Sequence, residues 1–328
     1  MKLDLIIPGL LTLPSATDAL PVCRLLETWL ARSKVSHAKH DYHAQLFSLV
    51  NLPDATSPAW LSALADNCER PHLLWRADPV HFQAQTDHAV LFDSHSLNIE
   101  QAEMAQLVAG FNAHFDEDGL QLHAVDSHRW YLYSQQPMNV KTTAITQAIG
   151  RNVRHFLPAG DDAMRWRNIL NETQMLFHAH AVNQQREDAG VRSINSLWLW
   201  GEGRRNVDQI DYTATIYADE IVARGAARLA NAPSKPVIEW MQQPGAGMLV
   251  LDDLMVAASY GDVAGWTEAF DALCQNKLPI ILNALKTGVI NRINLYPADG
   301  RCFTLCAKDV YKFWRLRKHL QHWMQYDS

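Results

Sequence analysis

Apolar residues recur along this chain with two different periods, and the switches between them mark out its elements. Short continuous apolar runs bounded by turn residues predict buried strands at 3–7, 194–200 and 248–251, the first closed by Pro8-Gly9. Runs rich in aromatic and branched residues predict further strands at 73–77, 89–92, 120–125, 130–133 and 215–217. Helical spacing of apolar positions predicts helices at 20–31, 41–50, 58–67, 98–115, 218–230 and over 264–285. Asp161 or Asp162 supplies an N-cap for one long helix running to about Glu187. Residues 290–295 and 302–306 form an antiparallel pair, joined by the turn chemistry of Pro297-Ala298-Asp299-Gly300.

The order of these elements predicts an α/β protein, with a mixed sheet core flanked by helices and a smaller inserted α/β module. The texture changes at His72 and changes back after the long helix. The expected division is therefore a core of 1–71 and 190–328 around an insertion of 72–189 that ends in that helix. A chain of 328 residues is long enough for one large domain with an insertion or for two domains. Neither an internal repeat nor a low-complexity segment is visible.

Composition narrows the class rather than the function. With 48% hydrophobic and 20% charged residues the chain reads as an ordinary globular protein. A net charge of −6 gives no push towards nucleic acid or an anionic membrane. Five scattered cysteines, an odd number, argue against a disulfide framework, and Cys302 and Cys306 lack the second pair that a structural zinc site requires. No run approaches the length of a membrane span, and the N-terminus reads as a strand, so a cytoplasmic location is expected.

The most site-like stretch runs from Ile194 through Asn195, Trp198 and Trp200 to Gly201 and Gly203. Glycines after a strand let a backbone approach a ligand or turn sharply, though a buried strand ending in an ordinary turn has the same pattern. Arg76, Asp78 and His81 form a polar cluster at a strand end, suited either to an anion or to an internal Arg–Asp fork. On the long helix Glu172 and His180 share a face and make a candidate base or proton shuttle, while Asn171 lies on another. The alternative is that these groups hold the insertion in place by hydrogen bonds. The segment 308–324 interleaves cations with Tyr311, Phe313, Trp314, Leu316 and Trp323. It is expected to be a closing helix packed on the sheet, not a surface for nucleic acid or membrane.

Asn195-x-x-Trp198-x-Trp200-Gly201-x-Gly203 resembles a segment of the archaeal-type cofactor-independent phosphoglycerate mutases, members of the alkaline phosphatase superfamily. Leu74-Trp75-Arg76-Ala77-Asp78-Pro79-Val80-His81, Asn112-Ala113-His114-Phe115, Arg129-Trp130-Tyr131-Leu132 and the run 170–180 are similar to a bacterial phosphoglycerate mutase-like group that includes regulatory proteins of the RpfE type. The resemblance implies an alkaline-phosphatase-like fold and, for an active member, two metal ions held by Asp and His with a Ser nucleophile. The first ligand position falls on Pro8, which has no ligating atom, and the nucleophile position falls on His40-Asp41-Tyr42-His43, which has no serine. Of the later ligands only Asp252, Asp253 and Asp299 remain as weak metal candidates, without their histidines. The resulting expectation is a degenerate, non-catalytic binding or regulatory protein that takes a small anionic ligand or a protein partner and needs no cofactor. A metal-dependent phosphomutase or phosphohydrolase with rearranged ligands, using Mn or Zn, is the alternative.

Overall fold

The structure is a computed structural model, and it describes all residues except 14–19, 71–72, 86–88, 205–209 and 327–328. The chain divides into two compact units, Met1–Ala55 with Val207–Ser328, and Thr56–Asn206. The first stretch carries β1 (Lys2–Ile6), β2 (Thr12–Leu13), α1 (Arg24–Arg32), β3 (Lys34–His37) and α2 (Tyr42–Leu49). The second unit carries α3 (Pro58–Ala65), β4 (Leu73–Ala84), β5 (Ala89–Phe92), α4 (Gln101–His114), β6 (Leu120–Ala124), β7 (Trp130–Ser134), α5 (Ile145–Ala148), α6 (Ala163–His178), α7 (Ala181–Asp188) and β8 (Ser196–Gly203). The chain then returns to the first unit with β9 (Ile216–Tyr217), α8 (Ile221–Leu229), β10 (Ser234–Lys235), α9 (Val237–Gln242) and β11 (Gly247–Val250). It ends with α10 (Met255–Tyr260), α11 (Val263–Ala272), α12 (Leu278–Lys286), β12 (Arg292–Tyr296), β13 (Arg301–Cys306) and β14 (Gln325–Tyr326).

The first unit is built on a seven-stranded sheet of order β10-β9-β11-β1-β12-β13-β3. Its strands β1, β9, β10, β11 and β12 pair in parallel, so their carboxyl ends lie along one rim of the sheet. The antiparallel strands β13 and β3 complete the other side. Central strands buried on both faces are largely apolar, as β11 is throughout; among its buried residues β1 departs from this only at Asp4, whose carboxylate is met by Lys2 and Asn294. Leu3, Leu5, Trp29, Leu249, Trp266 and Ile281 are among the side chains of this core, and all are at most 1% exposed.

The second unit holds a mixed-order antiparallel sheet in which the long strand β4 pairs with β5, β7 and β8, and β6 pairs with β7. Trp75, Trp130 and Trp166 fill its core together with Phe111, Leu199 and Phe177. The mixed α/β class expected from the sequence is the class observed.

Several local expectations differ. The tryptophan strand β8 belongs to the second unit and not to the core sheet, because it zips antiparallel onto β4, with Asp78 opposite Trp198 and Arg76 opposite Trp200. Together with α3 it extends this unit to 56–206, beyond the 72–189 segment on both sides. Strand β4 also runs straight through Pro79, which lies opposite Leu197. The long helix is broken. His180 takes an extended backbone and N-caps α7, its Nδ1 accepting from the Val182 N–H at 3.3 Å, so helical periodicity does not continue from α6. The segment 308–324 forms no α-helix, only two short 3₁₀ turns separated by a turn at Phe313–Trp314 and irregular chain.

Candidate functional site

In the second unit the sequence-predicted polar residues are brought together and then satisfied by one another. Arg76 and Asp78 are 5% and 4% exposed. The Arg76 guanidinium donates through Nε (2.9 Å) and Nη2 (2.5 Å) to Oδ1 of Asp78. It also donates to Ser62 Oγ at 3.2 Å and to the His128 carbonyl at 3.2 Å. The indole N–H of Trp200 donates to the other oxygen of Asp78 at 2.7 Å. Burial pushes the Asp78 carboxyl up, against the pull of Arg76 and the Trp200 bond. This is the internal Arg–Asp fork, and every face of it is occupied.

The other predicted ligand contacts also have internal partners. His81 bonds through Nδ1 to the Ser193 carbonyl at 2.9 Å, and burial lowers its pKa. The Asn195 side chain accepts from Phe82 N–H at 2.8 Å and donates to Phe82 C=O at 3.0 Å, which extends the β4–β8 ladder by one step. Trp198 donates its indole N–H to Thr143 C=O at 2.9 Å. Gly201 and Gly203 serve packing: a Cβ on Gly203 would lie 2.5 Å from Ser57 Cβ, and one on Gly201 would lie 3.0 Å from Ala59 N. Ser57 Oγ donates to Gly201 C=O at 2.7 Å while accepting from Trp60 N–H at 2.9 Å, so the glycine turn seats the N-terminus of α3.

Glu172 and His180 do not act as a pair. Glu172 faces His114, with Nε2 to Oε2 at 3.5 Å, both largely exposed. His180 caps α7 and its ring lies against Gly110. Asn171 is exposed on α6. The residue that ties this region is Asn183, which helical spacing puts on the face of Glu172 and His180 and which is fully buried. It donates to Phe177 and Ile194 carbonyls at 2.8 Å each and accepts from Ile194 N–H at 2.7 Å.

The arrangement with open chemistry lies in the first unit, at the carboxyl ends of the parallel strands, where α/β sheets place ligands. Asp219 and Glu220 follow β9, Asp252 and Asp253 follow β11, and Asp299 follows β12. Glu220 N-caps α8, accepting from Val222 and Ala223 N–H at 2.9 and 2.8 Å, and it takes the Tyr42 hydroxyl at 2.6 Å. Burial and the Glu220 carboxylate hold the Tyr42 hydroxyl far above its ordinary range, so it stays a donor. Asp219 accepts from Val237 N–H at 3.3 Å. Asp253 is paired to Lys277 at 2.7 Å. Asp299 is 3% exposed and forked onto Arg301 through Nε at 2.9 Å and through Nη2. The adjoining Gly300, at φ +88°, leaves room for His40, whose Nε2 would be 2.5 Å from a Cβ there.

Asp252 alone in this row has no hydrogen bond from another side chain or helix N–H, and no ion pair, among the described residues. Burial, then the neighbouring carboxylates Glu220, Asp253 and Asp219, push it up to about 6. Asp252 is therefore poised to gain or lose a proton near neutrality. Its signal in the sequence is an acidic residue directly after a parallel strand. The same signal marks Asp219 and Glu220, which the motif comparison passed over.

A dinuclear metal clamp needs Asp and His side chains that converge. Among the described residues no group of three or more His, Cys, Asp or Glu is placed to hold an ion. The weak metal candidates Asp253 and Asp299 are engaged by cations, and Pro8 occupies the first position. The residues present do not fit the two-metal group.

A mixed α/β fold with acidic residues at the parallel-strand ends is the class this geometry defines. No family model matches the chain. The 2,3-bisphosphoglycerate-independent phosphoglycerate mutases of Methanosarcina barkeri and Methanothermobacter thermautotrophicus are 23% and 28% identical to it over 119 and 118 residues, covering 36% and 35% of this chain. These matches span 30% and 29% of the two relatives, less than a third of their length. A solved protein from Pyrococcus horikoshii superposes with a TM-score of 0.55 at 12% identity, covering 93% of this chain and 87% of that one. A cofactor-independent phosphoglycerate mutase from Thermoplasma acidophilum gives 0.41 at 12% identity, covering 93% and 90%. About a third of the chain is thus distantly similar in sequence to archaeal 2,3-bisphosphoglycerate-independent phosphoglycerate mutases, and the fold is mixed α/β.

Proposed function

We propose that this chain is a non-catalytic binding or regulatory protein on a phosphoglycerate mutase-like scaffold, and that its ligand or partner meets the acidic residues at the carboxyl ends of the first unit's parallel strands. The observation that carries the reading is the state of the carboxylates there. Asp253 is held by Lys277, Asp299 by Arg301, and Glu220 by the start of α8 and Tyr42, which leaves Asp252 alone with a free carboxyl. One carboxyl can exchange a proton or accept a hydrogen bond; it cannot clamp both the attacking and the leaving oxygens of a phosphoryl transfer. A row of carboxylates repels phosphate, so the occupant is a neutral, hydroxyl-rich or cationic group. Against the small anionic ligand expected at Arg76 and His81 stands the engagement of the Arg76 guanidinium by Asp78, Ser62 and the His128 carbonyl, and of His81 Nδ1 by the Ser193 carbonyl.

The test is to purify the protein from medium supplemented with Mn and Zn, measure its metal by elemental mass spectrometry, and assay phosphoglycerate isomerisation and phosphate-ester hydrolysis. Absence of turnover above the buffer rate in the metal-loaded protein is the expected result. Turnover that Asp252→Asn abolishes would overturn this reading in favour of a metal-dependent phosphomutase or phosphohydrolase with rearranged ligands, the activity carried by the relatives' names.

A further inference from the structure

The segment 308–324 is pinned to the first unit yet holds its largest apolar side chains in solvent. Its anchors are specific. Arg317 pairs with the fully buried Glu27 at 3.0 Å, and Leu320 N–H donates to the same carboxylate at 2.9 Å. Arg315 donates to Ser33 C=O at 3.1 Å, and Arg301 to Trp323 C=O at 2.7 Å. Between these anchors Tyr311, Phe313, Trp314 and Leu316 are 72%, 79%, 64% and 80% exposed. Phe313 and Trp314 are locked edge to face at 5.3 Å. A soluble surface rarely keeps four such neighbours in water, and the order of the strap means that little conformational freedom is lost when they are covered.

The charge around them is of one sign. Lys308, Lys312, Arg315, Arg317 and Lys318 lie within the strap, and Lys34 stands at the mouth of an adjoining cavity of about 620 Å³. The only acid between 308 and 326, Asp309, is buried and paired with Lys312 at 2.7 Å. This cationic, apolar face sits on a chain of net charge −6. We propose that the strap is a peripheral docking surface for an anionic lipid bilayer, with Phe313, Trp314 and Leu316 entering the headgroup boundary and the surrounding cations meeting lipid phosphates. Apolar and aromatic side chains rimmed by Lys and Arg have this chemistry. A second copy fits poorly, since two cationic straps repel. Single-stranded nucleic acid fits less well too, since Leu316 has no stacking face and the Phe313–Trp314 pair is crossed rather than parallel.

The experiment is co-sedimentation of the full chain with vesicles of phosphatidylcholine, with and without phosphatidylserine. Binding is expected only to the anionic vesicles, and is expected to weaken at least about tenfold between about 0.1 M and about 1 M salt. The triple variant Phe313→Ser/Trp314→Ser/Leu316→Ser is expected to lose at least about tenfold in partitioning with an unchanged melting temperature, because these side chains are exposed. Lys34→Glu/Lys318→Glu provides an independent test of the charge term and is expected to weaken binding similarly. Equal binding to neutral vesicles, no binding, or binding retained in both variants would overturn the proposal. So would strap-dependent binding of poly-uridylate or poly-glutamate by a protein that ignores the vesicles.

Discussion

Replacing Asp252 by asparagine is expected to stabilise the first unit at neutral pH, a direction opposite to that of most substitutions. The carboxyl is driven up to about 6 by burial and by Glu220, Asp253 and Asp219. An unfolded Asp titrates near 3.9, so the shift is about two units, worth at most about 3 kcal/mol. The sign follows from proton binding. Between about pH 4 and pH 6 the folded state holds more protons than the unfolded state, so stability falls as pH rises through that window and stays low above it. Asparagine keeps the shape and removes the charge. The variant should therefore match the parent near pH 4 and exceed it by about 1 to 3 kcal/mol at pH 7, the lower figure allowing for solvent screening of a partly exposed group. Hydrogen exchange of peptides from β1 and β11 reads this locally, with protection at pH 7 rising up to about a hundredfold. A variant no more stable than the parent at pH 7, or equally stabilised at both pH values, would refute the reasoning. A destabilising carboxylate retained at a strand end is also the signature of a site kept for function rather than for stability.

Other substitutions test the second unit. Asp78→Ala strands the buried Arg76 guanidinium and the Trp200 indole, and should cost about 3–5 kcal/mol in a urea titration followed by β4 and β8 exchange, whereas Arg76→Met/Asp78→Leu should recover most of it. Gly203→Ala drives a Cβ into Ser57 and should cost about 1–3 kcal/mol, visible as a lowered melting temperature. Asn183→Ala leaves the buried Phe177 and Ile194 carbonyls without their donor; a loss below about 1 kcal/mol would mean that water replaces it.

Much of the fold was legible because it depends on local pattern. The runs that became β1, β11, β12 and β13 are apolar where both faces are covered, and Pro297 to Gly300 turns the hairpin with Ala298 and Gly300 at positive φ. Helix periodicity placed α2, α3 and α4 within a few residues. It failed in three places for physical reasons. The run through His180 keeps helical spacing, but the His180 ring caps α7 and breaks the helix. The segment 308–324 alternates cations and aromatics as an amphipathic helix would, yet tertiary bonds from Glu27, Ser33 and Arg301 hold it as irregular chain between two 3₁₀ turns. Residues 264–285 are helical but pass through a π turn at Leu273–Lys277, which carries no distinct sequence signal.

The candidate site divides along the same line. Sequence by itself determined the α/β class and the distant similarity to the phosphoglycerate mutases, because local pattern and residue identity carry both. Only the tertiary structure decided which polar residues are spent on one another. Arg76 and Asp78 stand two residues apart on β4, whereas Trp200 is distant in the chain and reaches Asp78 only because β8 pairs with β4, and the three close into a buried fork. Asp252, unlike Asp253 and Asp299, has no ion pair among the described residues and lies half-buried beside Glu220. A carboxyl's proton affinity depends on what surrounds it in space, and that is set by strand order and helix starts, which no linear spacing records.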